Sequence, residues 1–368
     1  MKRYLIFLGT RPEAIKMCPL ILELRRRADV CLRVVLTGQH REMPLPVLDF
    51  FGVRADADLG VMTQGQTLTR LTERLLSAIS HDLKTSGFAP DAVIVHGDTT
   101  TAFVGALCAF YEGIPVVHIE AGLRTGNIRA PFPEEFNRRA IDAMSQLHFA
   151  PTDRARAALL AEGQTDESIF VVGNTATDAL RLCLARPCAH PLPDAAVGKR
   201  LILLTAHRRE IAVEERLALF RAIRAEAEGR RDVLVVFPVH PSPIVRKAAE
   251  DVFGGCDTVV LTEPLGLPVL QHLLARAEIL LTDSGGLQEE ATYLGVPTLV
   301  LREVTERPEG VEAGVLRLVG TGGERVRAAL ADLLDNEQRR LGMARPSDVY
   351  GDGRVSARIA DALEAWHV

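Results

Sequence analysis

A chain of 368 residues with 47% hydrophobic and 25% charged side chains can fill more than one core, and two domains are expected. Its net charge of -5 excludes the broad basic surface of a nucleic-acid-binding protein, so an anionic ligand has to be held locally by placed Arg, Lys and helix ends. No apolar run approaches the roughly 18 residues of a membrane span, and the opening Met-Lys-Arg-Tyr-Leu-Ile-Phe-Leu is too short for a signal core, which points to a cytoplasmic protein with no membrane partner.

The first β-rich run, residues 4–8, breaks at Gly9-Thr-Arg-Pro-Glu-Ala-Ile-Lys16. This is not the G-x-G-x-x-G of a dinucleotide-binding turn. Pro12 suits the first helical position, which puts Arg11 and Lys16 near the start of a helix over about 12–25. There they can neutralise a diphosphate or pair with carboxylates. A second strand, 31–36, runs into the polar group Gly38-Gln39-His40-Arg41-Glu42. After a helix over about 66–85, strand 92–95 ends at His96-Gly-Asp98-Thr-Thr100. A helix over 100–111 leads to strand 116–119, which ends at Glu120 in His118-Ile-Glu-Ala-Gly-Leu-Arg124. Pro133-Glu134-Glu135 opens a helix over about 135–145 that carries Asn137 and Arg138, and strand 147–149 follows. Carboxylates just past separate strands can converge, which raises at least one pKa and readies it for acid–base work. Ion pairing with Arg124 and Arg138 is the structural alternative.

The second half repeats the alternation with strands at 201–205, 233–237, 259–261, 279–281 and 298–301. They end in His207-Arg-Arg-Glu210, Pro238-Val-His240, Thr282-Asp-Ser-Gly-Gly-Leu-Gln-Glu-Glu290 and Thr305-Glu-Arg307-Pro-Glu309. A Ser284-Gly285-Gly286 turn at a helix start leaves backbone N–H groups for an anion, and Glu290, a turn or so in, can reach sugar hydroxyls. This βαβα order implies parallel sheets covered on both faces. The domains are placed at 1–171, joined by a C-terminal helix over 352–368, and at 172–351. In such sheets, ligands sit at the carboxyl edge of the strands. The cysteines Cys18, Cys31, Cys108, Cys183, Cys188 and Cys256 form no C-x-x-C pair and read as reduced thiols. His96, Asp98, His118 and Glu120 lack the spacing of known zinc motifs, so no metal is expected.

With these motifs assembled, the chain resembles the non-hydrolysing UDP-N-acetylglucosamine 2-epimerases over nearly its full length. The resemblance rests on the blocks at Gly9–Lys16, 39–43, 96–100, 120–126, 133–138, 207–210, 283–290 and 305–309. It implies the GT-B architecture, two Rossmann-like doubly wound domains facing a central cleft. It implies C2 epimerisation of UDP-GlcNAc to UDP-ManNAc, by elimination of UDP to a 2-acetamidoglucal and re-addition, for polysaccharide biosynthesis and without a cofactor. Asp98, Glu120 and Glu134 would be the acid–base groups, with His207 beside them in the catalytic set. Arg11, Lys16, Arg138, Ser284, Gly285, Gly286, Glu290 and Arg307 would bind UDP and sugar. Gln39, His40, Gln66, Arg208 and His240 match positions that hold an activating second UDP-GlcNAc in some members. The family is usually dimeric, so a homodimer is expected. The alternatives are a 2-epimerase of another UDP-2-acetamido sugar and a hydrolysing relative that releases ManNAc and UDP. The loop after Glu210 lacks the family's glycine, and Leu267 and Leu270 stand where aromatic residues are common.

Overall fold

The computed structural model describes residues 1–39, 44–63, 65–188, 196–207 and 211–366. In chain order the first elements are β1 (Lys2–Leu8), α1 (Arg11–Arg26), β2 (Val30–Leu36), α2 (Leu45–Phe51), β3 (Ala57–Asp58), α3 (Leu68–Thr85), β4 (Ala92–His96), α4 (Thr100–Tyr111), β5 (Val116–Ile119), α5 (Glu134–Met144), β6 (Leu147–Ala150), α6 (Asp153–Ala161), β7 (Ile169–Val171) and α7 (Thr175–Leu184). The chain continues with β8 (Arg200–Thr205), α8 (Val213–Glu228), β9 (Val233–Pro238), α9 (Pro243–Phe253), β10 (Val259–Thr262), α10 (Leu267–Arg276), β11 (Ile279–Thr282), α11 (Gly285–Leu294), β12 (Thr298–Val300), α12 (Pro308–Glu312), β13 (Leu316–Leu318), α13 (Gly323–Asp335), α14 (Glu337–Met343) and α15 (Val355–Ala365). Contacts divide it into one unit of Met1–Ala179 with Gly351–Val368, and a second of Leu180–Tyr350.

Each unit is built on a parallel sheet, as the alternation of strand and helix patterns implies. The N-terminal sheet has the order β3-β2-β1-β4-β5-β6-β7 and the C-terminal sheet β10-β9-β8-β11-β12-β13. Both therefore reverse direction beside their first strand, between β1 and β4 and between β8 and β11. Helices cover both faces, so central strands are apolar throughout: Tyr4 to Leu8 and Val93 to Val95 are all buried. The N-terminal core packs Leu5, Phe7 and Val95 against Val104 of α4 and Ile141 of α5. In the C-terminal core Phe220, Phe237 and Phe253 form an aromatic cluster, with Phe220 5.4 Å and 5.3 Å from the other two ring centroids.

The C-terminal helix α15 packs on α1. Its start is tied down because Asp178 accepts the backbone N–H groups of Val355 and Ser356 at 2.9 and 2.6 Å. Its last carbonyls are held by Lys2, whose Nζ donates to Leu363 O at 2.7 Å. Four of the six free cysteines, Cys18, Cys108, Cys183 and Cys256, are buried. Among the described residues no helix is long and apolar enough to cross a membrane.

Candidate functional site

In the N-terminal unit β1 ends at Gly9-Thr10, and Thr10 caps α1 in a reciprocal box with Glu13. Arg11 is the first helical residue, and Lys16 lies one turn further on. The neighbouring strand β4 ends in the left-handed Gly97 (φ 63°), followed by Asp98 and by Thr99, the N-cap of α4. Next in the sheet, β5 ends at Glu120, the only described non-glycine residue with positive φ, at 65°. Glutamate rarely adopts this conformation, and such strain collects at functional positions. Two residues later Gly122 (φ 84°) approaches α6 so closely that a Cβ would lie 2.4 Å from the Ala155 carbonyl oxygen.

Charges are balanced around these strand ends. Lys16 Nζ donates to Glu120 Oε2. The same oxygen accepts Asn174 Nδ2 at 2.6 Å, with His96 Nε2 at 3.6 Å. Burial drives the His96 imidazole down to about 3, against the pull of the Glu120 charge, so it is neutral at pH 7. Asp98 pairs with Arg138, and Asn137 Nδ2 donates to the Asp98 carbonyl at 2.9 Å. Desolvation raises the Asp98 carboxyl; Arg138 opposes the rise and the negative Glu120 adds to it. Behind them, Asp142 binds His118 Nδ1 at 2.5 Å and Arg124 Nη2 at 2.7 Å, and His118 Nε2 lies 2.7 Å from the Gly97 carbonyl. This buried brace joins the ends of β4 and β5. Burial works to raise the Asp142 carboxyl, but His118 and Arg124 bring it below its usual range.

Of the two arginines named in the structural alternative, Arg138 reaches Asp98, whereas Arg124 pairs with Asp142 and Glu162. Glu134 opens α5 beside Glu135, which is fully buried and accepts the Thr125 N–H at 3.1 Å. Gln39 Oε1 accepts both the N–H and the hydroxyl of Thr101, at 3.1 and 2.8 Å. Gln66 is half-buried before α3 and accepts the Thr63 hydroxyl at 3.0 Å. His40 and Arg208 lie outside the described residues.

The C-terminal unit gathers its groups at the β8–β11 reversal. His207 follows β8 and Asp283 follows β11. Asp283 lies 2.6 Å from His207 Nδ1 and accepts the His207 backbone N–H at 2.7 Å. That fixes the ring and leaves Nε2 as the nitrogen Asp283 does not engage. The His240 ring lies 5.9 Å from that of His207. Ser284 is the N-cap of α11 but makes no side-chain cap bond, and space beside Gly286 is open. The first-turn amides of α11 suit an anion. A Cβ on Gly285 would lie 3.8 Å from Arg307 Nη2, so a guanidinium flanks the helix start. Arg307 pairs with buried Glu289. One position on, Glu290 accepts Gln271 Nε2 at 3.2 Å. Thr305 donates to Gln288 Oε1 at 2.6 Å and so ties the loop after β12 to α11.

Three groups at these sites escape a motif reading. Asn174 meets Glu120 from 54 residues away. Asp142 sits in the last turn of α5 with no local sign of its role. Asp283 falls inside a motif whose serine and glycines attract more notice. Glu13 does carry a legible signal, the Thr10-Arg-Pro-Glu13 capping box.

Two doubly wound parallel domains with ligand-type groups at both chain reversals define an α/β protein of the GT-B class. The model of the family described as UDP-N-acetylglucosamine 2-epimerase matches residues 22–364. The chain is 48% identical over 355 residues to the UDP-N-acetylglucosamine 2-epimerase of Bacillus subtilis (strain 168), covering 96% of this chain and 93% of that one. It is 42% identical to the enzyme of the same name from Escherichia coli (strain K12), covering 99% and 98%. The crystal structure of UDP-GlcNAc 2-epimerase from Neisseria meningitidis bound to UDP-GlcNAc superposes with a TM-score of 0.90 at 40% identity, over 100% of both chains. The chain belongs to the UDP-N-acetylglucosamine 2-epimerase family.

Proposed function

We propose that the protein interconverts UDP-GlcNAc and UDP-ManNAc by inverting C2 of the sugar. The observation that carries this reading is Glu120: a carboxylate in strained backbone, with Lys16 and Asn174 on one oxygen and the raised Asp98 carboxyl in its field.

The chemistry needs such a site. No carbonyl adjoins C2, so its proton is removed only as the C1–O bond to UDP breaks, giving a bound 2-acetamidoglucal. UDP then adds back to C1 while a proton reaches the other face of C2. Asp98, Glu120 and Glu134 are the acid–base groups in this reading. Lys16 and Arg138 keep the carboxylates poised and limit their mutual repulsion. Arg11 has no ion-pair partner among the described residues and is free to meet a phosphate. His207, the α11 amides at Ser284, Gly285 and Gly286, and Arg307 hold the departing diphosphate, and Glu290 takes the ribose. Gln39 and Gln66 in the N-terminal unit and His240 in the C-terminal unit are the described residues at the positions that the resemblance links to an activator. Exposed Leu68 and Leu76 of α3 and Phe110 and Tyr111 of α4 support a homodimer through that face; sedimentation that gives only a 40.1 kDa species would reject it.

Incubation with UDP-GlcNAc in D₂O, followed by NMR, tests the reaction. The expected product is intact UDP-ManNAc carrying deuterium at C2. Free ManNAc would indicate hydrolysis, and unlabelled substrate would exclude the epimerase reading.

A further inference from the structure

We infer that Glu13 is a positioning residue that sets Arg11 and Asp98 relative to one another. Its carboxylate is buried, at 1% exposure, and makes more bonds than helix capping requires. One oxygen accepts the backbone N–H groups of Gly9 and Thr10 at 3.1 and 2.7 Å. That half is the ordinary capping box of α1. The other oxygen accepts the Thr99 hydroxyl at 2.7 Å. Thr99 belongs to a different helix: it caps α4 by accepting Ala102 N–H at 3.0 Å. A single side chain thus joins the N-caps of the two helices that leave the β1–β4 reversal. Arg11 follows one cap by one residue, and Asp98 precedes the other by one.

The joint has little slack. A Cβ on Gly9 would lie 2.0 Å from Thr101 Oγ1 on α4 and 2.9 Å from Thr37 Oγ1. Three donors converge on a group that only accepts, which is the pattern of an ionised carboxylate held in place. Burial lifts the carboxyl to about 7 against those hydrogen bonds, so keeping it ionised costs more than a cap alone explains. An error of a fraction of an ångström at a reacting group is enough to lower a rate sharply. The inference rests on the roles proposed above for Asp98 and Arg11.

The test compares Glu13→Ala, Thr99→Val and Thr99→Ser, alone and in Asp98→Asn and Arg11→Ala backgrounds. Glu13→Ala and Thr99→Val are expected to lower kcat by at least about tenfold, with Thr99→Ser close to wild type. The loss should vanish in the Asp98→Asn background, and any weakening of UDP binding should vanish in the Arg11→Ala background. A purely structural role would lower thermal stability without these couplings. Should Glu13→Ala fail to fold, the Thr99 pair carries the test. Wild-type kcat in Thr99→Val, or an undiminished loss in Asp98→Asn, overturns the inference. If Asp98→Asn itself turns over normally, the acid–base reading falls instead. UDP binding then decides for Glu13: an undiminished loss of UDP affinity in Arg11→Ala overturns the inference.

Discussion

At the end of β5, Glu120 is gripped by Lys16 and Asn174 in strained backbone. At the end of β11, the carboxylate of Asp283 is turned inward onto His207, and what stands at the edge is an imidazole, a serine and two glycines. The two units share a sheet topology and put their groups at strand ends at or beside equivalent chain reversals, yet they fill those strand ends with different chemistry. The N-terminal unit holds carboxylates paired with placed cations, Glu120 with Lys16 and Asp98 with Arg138, and burial raises the Asp98 carboxyl. The C-terminal unit holds helix amides, His207 and Arg307, which suit a negative ligand that must be kept and not altered. The fold decides where a site can form, and residue types decide what it does.

This division of labour can be broken most forcefully in the N-terminal unit. Asp98→Asn, Glu120→Gln and Glu134→Gln should each lower turnover by about 10²- to 10⁴-fold, the scale of acid–base groups, with UDP affinity in calorimetry near wild type. Near-normal epimerisation by all three would remove the proton chemistry from this unit.

Stability against pH comes next. The raised Glu13 carboxyl binds its proton more tightly in the folded state, so its contribution is most favourable below 4.5 and declines as pH rises to about 7, by about 3 kcal/mol. His96 acts in the opposite sense. Its depressed pKa means that the unfolded chain takes up the proton first, so stability present above 6.5 is lost as pH falls towards about 3, by about 5 kcal/mol. Urea unfolding at several pH values should show Glu13→Gln removing the decline between 4.5 and 7 and His96→Gln flattening the acid side. Unchanged profiles would mean that neither group is desolvated as described.

In the C-terminal unit, Asp283→Asn replaces one acceptor of the His207 clamp with a donor and should weaken UDP binding about tenfold. Turnover at saturating substrate should fall less than in the carboxylate variants. A smaller effect is expected at Gly286, where nothing lies within 4 Å of an added Cβ. Gly286→Ala should raise stability by about 0.5 kcal/mol through helix propensity while weakening UDP binding. Unchanged UDP affinity would take the anion away from the start of α11.

The contrast was only half legible in the sequence. Buried parallel strands are short, β-branched and apolar, and 116–119 was expected and found with the same bounds. Two-residue β3 and the edge strand β13, with two exposed residues, carry no such pattern and were not expected. Motifs at strand ends located Asp98, Glu120, His207 and Ser284. They could not say that Lys16 would choose Glu120, 104 residues away, or that Arg124 would turn to Asp142. Long-range pairing depends on strand order, which local pattern does not encode. Glu13 differs: its capping box could be read directly, but its bond to Thr99 needed the fold.

The central claim is that one unit moves protons at C2 while the other retains the diphosphate that leaves C1. UDP-GlcNAc labelled with ¹⁸O in the bridge between C1 and the β-phosphorus tests both halves at once. Wild-type protein is predicted to scramble the label into the non-bridging β-phosphoryl oxygens, at a rate matched to deuterium entry at C2 from D₂O. Epimerised product that keeps the label wholly in the bridge over many turnovers would contradict the account, because a C1–O bond broken in every turnover gives the β-phosphoryl group repeated chances to rotate before UDP adds back.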